Sequence, residues 1–261
     1  MTTLHWPCET IWEQLSPLRP DISIEAVAEI GSTNTHLLER ARAGDTAACL
    51  LVAEHQTAGR GRQGRRWASA PGASLTFSLG LSLTPQSWSG LSLAVGVALA
   101  DALHPQLALK WPNDLWLRDG PGAGRKLGGI LIETSSSGPG PGRYAVIGVG
   151  LNVRPVEVPD PRNPVAALAE LQPDAAAPDT LARVALPLLT ALLRFEREGY
   201  TAFAAGFAQR DLLDGVAITT THADVPVGTA IGVDGHGALR VRTPAGETKT
   251  LESGEVSVRP C

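Results

Sequence analysis

Four short apolar segments separated by turn sequences occupy the middle of the chain, and they constrain its fold more than any other feature. Each segment is short and rich in Leu, Ile or Val, which predicts a strand. The intervening turns contain Pro, Asn, Asp and Gly, so neighbouring strands are expected to pair antiparallel. The predicted strands are 107–111, 115–117, 127–133 and 144–153, and the predicted turns are 112–114, 119–124 and 135–142.

The flanking segments predict helices and further strands. Ser32 or Thr33 can cap a helix that carries Leu37 and Leu38 on one face and stops at Gly44. Other apolar runs show helical or strand periodicity. The predicted strands are 22–30, 48–53 and 74–83; the predicted helices are a short one within 1–24, one at 91–103, a long one capped by Asp179 that runs to 198, and one at 201–210.

The pattern of residue types along the sequence changes near Gly215. From there the chain has short segments rich in Val, Ile and Thr, separated by the turn-forming sequences VDGHG, TPAGE and LESGE. This pattern is typical of a small all-β barrel. We therefore expect two domains, residues 1–212 and residues 213–261.

The composition is that of an ordinary globular protein. Hydrophobic residues make up 43% of the 261 residues, and the formal net charge of −4 gives no general attraction to nucleic acid or anionic membrane. The three cysteines are scattered, which argues against a disulfide framework and a structural zinc. The N-terminus lacks a signal-peptide pattern, and no uncharged apolar run reaches about 18 residues. We expect a cytoplasmic protein that does not contact membranes.

A segment rich in glycine and arginine, residues 57–72, lies between two predicted strands. Its GRGRQG (59–64) matches a dinucleotide fingerprint, but a strand follows it, and no acidic residue lies between Glu54 and Asp101 to bind a ribose. The same stretch carries four arginines, whose guanidinium groups bind phosphate or carboxylate oxygens. Its position between apolar strands distinguishes it from disordered RNA-binding RGG tracts. We interpret it as a flexible loop that closes on an anionic ligand.

Five motifs resemble those of the biotin protein ligase family. EHQTAGRGRQGRRW (54–67) looks like the family's biotin and adenylate loop, and GSTN (31–34) looks like the motif that helps to hold the biotin head. KWPND (110–114), RKLGGILIE (125–133) and IGVGLNV (147–153) follow in the family's order and at similar spacing. The resemblance implies an α+β fold: a mixed, largely antiparallel sheet flanked by helices, related to class II synthetases, with a small C-terminal SH3-like β-barrel.

The resemblance also implies a reaction and its cofactors. The family uses ATP to convert biotin into biotinyl-5′-AMP, and then transfers biotin to a lysine of the biotin carboxyl carrier protein of a biotin-dependent carboxylase. The first step joins two anions, so positive charge and Mg²⁺ are expected; the sequence does not identify metal ligands. Lys126, Arg60 and Arg62 match the positions that would supply the charge. Asp114 would orient the incoming lysine or the metal, or would form an internal salt bridge.

The remaining site residues are carried over from the same motifs. The uncharged head of biotin must be held by hydrogen bonds in an apolar pocket, whereas the nucleotide needs cationic partners. Ser32 and Thr33 could instead act as helix caps. Trp67 could instead be a packing residue. The implied biotin-binding residues are Ser32, Thr33, Asn34, Gln56, Arg60, Gly61, Arg62, Lys126, Gly129 and Gly148; the implied ATP- or adenylate-binding residues are Arg62, Arg65, Trp67, Lys110, Asn113, Lys126 and Asn152.

Two other functions stay open at this point. A lipoate or octanoate ligase or transferase shares the fold, and it would depend on lipoate rather than biotin. A biotin-responsive repressor would need an N-terminal DNA-binding domain of roughly 60 residues, whereas 30 residues that are not basic precede GSTN, so we expect no DNA binding. Exposed edges of the central sheet would permit a homodimer.

Overall fold

The computed structural model describes residues 4–120, 122–136, 142–156, 164–252 and 256–261. Parts of three predicted turns, at residue 121, at 137–141 and at 253–255, lie outside the described residues. Among the described residues, no helix combines the length and the apolar character needed to cross a bilayer.

A mixed seven-stranded sheet forms the centre of the molecule. Its strands are β1 Ser23–Ile30, β2 Cys49–Gln56, β3 Ser74–Leu83, β4 Leu107–Lys110, β5 Asp114–Gly120, β6 Ala123–Ser136 and β7 Arg143–Asn152. Their order across the sheet is β1-β2-β3-β7-β6-β5-β4. Strands β1 and β2 run parallel, and every other neighbouring pair runs antiparallel. The prediction of a mixed, largely antiparallel sheet is confirmed.

Strands β5 and β6 are longer than the sequence pattern predicted. Each extends into the predicted turn at 119–124, where Gly120 pairs with Ala123. The hydrophobic pattern stops before the backbone pairing does, because the outer parts of both strands are partly exposed and need no apolar side chains.

Helices cover both faces of the sheet. They are α1 Cys8–Leu15, α2 Thr33–Arg42, α3 Leu91–Leu103, α4 Ala177–Glu198 and α5 Ala204–Arg210. Helices α3 and α4 share one large core cluster with buried residues of β3, β6 and β7. Leu37, Leu38 and Ala41 of α2 pack on the opposite face against Tyr144 and Val146.

The N-terminal ends of two helices can be compared with those predicted from the sequence. Ser32 is the N-cap of α2, and its Oγ accepts a hydrogen bond from the backbone N–H of Thr35 at 3.4 Å. The prediction that Asp179 caps the long helix is wrong, because α4 begins at Ala177 and places Asp179 inside its first turn. Pro178 is well suited to a first helical turn, since its missing N–H has no partner there in any case. Residues 200–203 form a short 3₁₀ turn, so the last predicted helix starts at Ala204.

A second, five-stranded sheet forms the C-terminal part of the chain. Its strands are β8 Ala217–Thr220, β9 Val227–Val233, β10 Leu239–Arg242, β11 Thr248–Leu251 and β12 Val258–Pro260. They are ordered β11-β10-β9-β8-β12, and every neighbouring pair is antiparallel. A small C-terminal β domain is thereby confirmed, while the boundary after residue 212 stays a prediction.

Among the contacts that attach the C-terminal sheet to the rest of the molecule are two hydrogen bonds. The indole Nε1 of Trp111 donates to the carbonyl oxygen of Gly237 at 3.0 Å, and the hydroxyl of Ser89 donates to the carbonyl oxygen of His236 at 2.8 Å. Both acceptors belong to the turn between β9 and β10. Because Trp111 is part of KWPND, the C-terminal sheet is anchored next to a predicted site motif.

Candidate active site

One cleft of about 440 Å³ collects every residue that the sequence analysis assigned to a site. It lies between the N-terminus of α2, the strands β6 and β7, the arginine-rich segment after β2, and β12 of the C-terminal sheet. The predicted residues that border it are Ser32, Thr33, Asn34, Gln56, Arg60, Gly61, Arg62, Arg65, Trp67, Lys110, Asn113, Asp114, Lys126, Gly129, Gly148 and Asn152.

The strand register explains why motifs distant in sequence meet here. Lys110 pairs with Asp114, Asp114 with Gly129, and Gly129 with Gly150. This row crosses β4, β5, β6 and β7 and joins KWPND, RKLGGILIE and IGVGLNV at one level of the sheet. Side chains in such a row face the same side of a sheet, so three motifs contribute to one surface.

Two glycines of β7 make room for side chains from other elements. A Cβ at Gly148 would overlap the Asn34 side-chain oxygen, and a Cβ at Gly150 would overlap the Trp67 ring. Both positions require glycine because another side chain occupies the space above the strand. Trp67 therefore packs directly on the floor of the cleft.

The arginine-rich segment is a short hairpin, residues 59–67, which we call the arginine hairpin. Gly61 N–H donates to the Arg65 carbonyl at 2.7 Å, and Trp67 N–H donates to the Gly59 carbonyl at 2.9 Å. Its tip reverses at Gln63, which has a φ of 56°. The segment was expected to be a flexible loop, but its own backbone hydrogen bonds give it a defined shape.

One end of the cleft holds uncharged polar groups, and we call it the neutral pocket: Ser32, Thr33, Asn34 and Gln56. All four are buried. Thr33 N–H donates to Gln56 Oε1 at 2.8 Å, and the Thr33 hydroxyl lies 2.7 Å from Ser78 Oγ. Ser78 Oγ in turn donates to Asn34 Oδ1 at 2.6 Å. A buried, mutually bonded set of this kind holds its groups in fixed orientations and suits a neutral polar ligand.

The other end holds charged groups around an ion pair. Lys126 Nζ lies 2.7 Å from Asp114 Oδ1. The internal salt bridge that was considered as an alternative role for Asp114 therefore forms in this structure. Arg62 Nη1 donates to Asn113 Oδ1 at 3.2 Å, and burial lowers the pKa of Arg62. Partial burial strengthens the interaction of these cations with any anion that enters.

Lys110 is the most buried of these cations, at 5% exposure. Its Nζ lies 4.6 Å from the centroid of the Trp116 ring, within the range of a cation–π contact. Burial is the main cause that lowers the pKa of Lys110 to about 8; Asp114 opposes the shift, and Lys126 adds to it. The charge on this lysine therefore depends on what binds beside it.

Positive charge dominates the charged end even though the whole chain is acidic. Among the described lining residues, Asp114 is the one carboxylate, and seven side chains are cationic. Guanidinium and ammonium groups in such a cleft bind phosphate and carboxylate oxygens. The cationic lining residues are Arg60, Arg62, Arg65, Arg66, Lys110, Lys126 and Arg259.

Several residues at the cleft were missed by the sequence analysis. Ser257 and Arg259 line it from the C-terminal sheet, and Arg65 Nη2 donates to Ser257 Oγ at 3.1 Å. Nothing in their local sequence signals this role. Ser78 and Glu133, which bond to residues of the cleft, were also missed; Glu133 has a weak signal, since it is an acidic residue directly after the apolar run ILI.

A metal site made from protein side chains alone is not seen in the described part of the chain, which contains no group of three or more His, Cys, Asp or Glu residues placed to hold an ion. Mg²⁺ in nucleotide sites is commonly held by one or two carboxylates together with phosphate oxygens. Asp114 is the carboxylate that fits this role.

Comparisons with known proteins agree with the geometry. Residues 27–152 match the Biotin/lipoate A/B protein ligase family, and residues 215–259 match the Biotin protein ligase C terminal domain. The chain is 37% identical over 248 residues to the biotin–[acetyl-CoA-carboxylase] ligase of Mycobacterium tuberculosis, covering 89% of this chain and 88% of the relative. It is 34% identical over 249 residues to the bifunctional ligase/repressor of Escherichia coli, covering 91% and 74%.

A solved structure shows the same architecture. The biotin protein ligase from Aquifex aeolicus, in complex with biotin and ATP, superposes with a TM-score of 0.76 at 26% identity, covering 91% of this chain and 99% of that chain. The α+β fold that the resemblance implied is therefore confirmed. Matches of this length and identity show that the chain belongs to the biotin protein ligase family.

Proposed function

We propose that the chain is an ATP-dependent biotin protein ligase that forms biotinyl-5′-AMP and transfers biotin to a lysine of a biotin carboxyl carrier protein. One observation carries the proposal: a neutral polar pocket opens directly into a cleft lined by seven cations. This arrangement suits a ligand with an uncharged head and an anionic tail that meets a polyphosphate. The match of residues 215–259 and the named relatives support biotin over lipoate as the substrate.

In the first step, a biotin carboxylate oxygen attacks the α-phosphorus of ATP. A carboxylate–phosphate bond forms, the bond to the β-phosphate breaks, and pyrophosphate leaves. The obstacle is repulsion between two anions, which fixed positive charge reduces. We assign this role to Lys126 and Arg62, because both border the charged end of the cleft and are partly buried there. Their partners Asp114 and Asn113 hold them in place before substrates enter.

In the second step, the amine of the carrier lysine attacks the carbonyl carbon of the mixed anhydride, and AMP leaves. The anhydride is already activated, so orientation is the main requirement. We assign to Asp114 the role of orienting the carrier lysine and accepting the proton that its nitrogen loses on attack, once an anionic intermediate draws Lys126 away from the carboxylate. Mg²⁺ would supply further positive charge at the phosphates.

Labelled-pyrophosphate exchange into ATP tests the proposal. Exchange is expected with biotin and not with lipoate, and Lys126→Ala is expected to reduce it by about 10²- to 10³-fold, as when one stabilising group is removed from a reacting oxyanion. Lys249→Ala, which removes an exposed lysine of β11, is the matched control and should keep the parent rate. Exchange that depends on lipoate, or no exchange in the parent, would refute the proposal.

The cellular location, DNA binding and oligomeric state of the protein need separate tests. A cytoplasmic location and the absence of DNA binding are proposed from the sequence, and a gel shift with genomic fragments tests the second. A homodimer is proposed because the outer edge of β1 pairs with no other strand in the described part of the chain. Light scattering across a range of protein concentrations tests it.

A further inference from the structure

Glu133, the last residue of RKLGGILIE, contacts both the neutral pocket and the arginine hairpin. Its Oε2 accepts a hydrogen bond from Asn34 Nδ2 at 3.0 Å. Its Oε1 lies 3.6 Å from Arg60 Nη2. One carboxylate therefore contacts a buried residue of the pocket and a cation of the hairpin.

The contact with Asn34 orients the hydrogen bonds of the neutral pocket. Asn34 Nδ2 has two hydrogens, and they are used by Glu133 and by the Leu131 carbonyl at 3.2 Å. The amide oxygen must then face Ser78, whose hydroxyl donates to it at 2.6 Å. Ser78 gives its one hydroxyl hydrogen to Asn34, so the Thr33 hydroxyl is the donor towards Ser78 and shares its own hydrogen between Ser78 Oγ at 2.7 Å and Gln56 Oε1 at 3.1 Å. The hydrogen bonds from Thr33 to Ser78, from Ser78 to Asn34 and from Asn34 to Glu133 are therefore all donated in the same direction, and Glu133 is the last acceptor.

The contact between Glu133 and Arg60 shows that Arg60 and Arg62 have different partners. The Arg60 side chain is 49% exposed and lies over Glu133, whereas Arg62 is directed towards Asn113 at the charged end. Through Glu133 the Arg60 guanidinium is linked to β6. It is well placed to hold the base of the hairpin against the sheet.

We propose that Glu133 is a positioning residue that ties closure of the arginine hairpin, through Arg60, to the hydrogen-bonded state of the neutral pocket, through Asn34. It acts through these two partners and touches no reacting atom. The proposal rests on the proposed function, since the ligand held by the pocket and hairpin is biotin or its adenylate. Without the link, the hairpin opens more often and the bound intermediate escapes.

A double-mutant cycle with Glu133→Gln and Arg60→Gln tests the proposal. The pair is half-exposed, so each single change is expected to speed release of labelled biotinyl-5′-AMP by about three- to fivefold. The double variant should release it no faster than the more affected single variant, because both changes break one link. The KM for biotin should rise with the release rate, and the KM for ATP and the melting temperature should stay at parent values.

The matched control is Glu198→Gln, which breaks an exposed ion pair with Arg194 on α4 and should leave release unchanged. Effects of the two changes that multiply, to about tenfold or more, would overturn the proposal. So would a fall in melting temperature, or a change in the KM for ATP as large as that for biotin. A parent protein that makes no adenylate would instead refute the proposed function, so the two failures are distinguishable.

Discussion

Lys110 shows how the site prepares a single residue for an anionic ligand. The lysine is buried over Trp116, and its pKa is lowered to about 8, first by burial and then by nearby cations. Both causes disfavour the ammonium form in the free protein. Phosphate oxygens placed beside it would favour that form again.

We predict that ATP binding takes up a proton at Lys110 above about pH 8. Below that pH the lysine is already charged, so the affinity for ATP should not depend on it. As the pH rises through about 8 the free protein loses the charge, and the affinity should fall by up to about tenfold per pH unit. Calorimetry at about pH 9, in buffers of different ionisation enthalpy, measures the uptake. Equal uptake in Lys110→Gln would contradict the prediction.

The arginine hairpin is the element on which retention of an intermediate depends. Its backbone hydrogen bonds give it a shape of its own, and its tip contacts the C-terminal sheet through Ser257. Trp67 at its base packs over Gly150 on the sheet. A hairpin supported at both ends can cover the cleft and keep water from an adenylate.

We predict that Arg62→Ala releases biotinyl-5′-AMP about 10- to 100-fold faster than the parent, as expected for loss of a charge-assisted hydrogen bond. The released anhydride reacts with any accessible amine, so untargeted biotinylation should increase. Arg194→Ala on the surface of α4 is the control and should show parent behaviour. Adenylate retention equal to that of the parent would refute the assigned role.

At the scale of the whole molecule, Asp211 lies where the chain passes from the first sheet to the second. It is buried, and its Oδ1 accepts a hydrogen bond from Leu213 N–H at 2.8 Å. Its Oδ2 is buried without a hydrogen-bond partner among the described atoms. Burial raises the pKa of Asp211 to about 6, with a smaller contribution from Asp214.

Because the pKa of Asp211 is raised in the folded protein, the free energy of unfolding depends on pH. Below about pH 4 the carboxyl is protonated in both the folded and the unfolded chain, and it contributes nothing. As the pH rises from about 4 to about 6, the unfolded chain ionises first, so the group lowers the free energy of unfolding by about 3 kcal/mol. We predict that Asp211→Asn removes this loss.

Urea unfolding of parent and variant at several pH values measures the difference. The free energy of unfolding of Asp211→Asn minus that of the parent should rise across this interval and level off above about pH 6. A difference that does not change with pH would show that Asp211 stays ionised in the folded protein.

Much of the fold and site was predictable because its signals are local. Strand and helix periodicity located most elements, and the order of five motifs indicated the family and its mixed sheet. The failures also have local causes. Asp179 resembled a cap, but Pro178 favours an earlier helix start, and strands β5 and β6 continue past the end of their apolar pattern.

The sequence by itself determined which residue types are available for the chemistry: an arginine-rich segment free of acids, a lysine before two glycines, and polar residues at a helix start. Only the tertiary structure decided how they are divided between roles. The pairing of β5 with β6 lets the side chain of Lys126 reach Asp114. The fold also brings Glu133 close to Arg60 and places Arg259 in the cleft. Such partners are distant along the chain, and their distances depend on how whole elements pack, which no local pattern encodes.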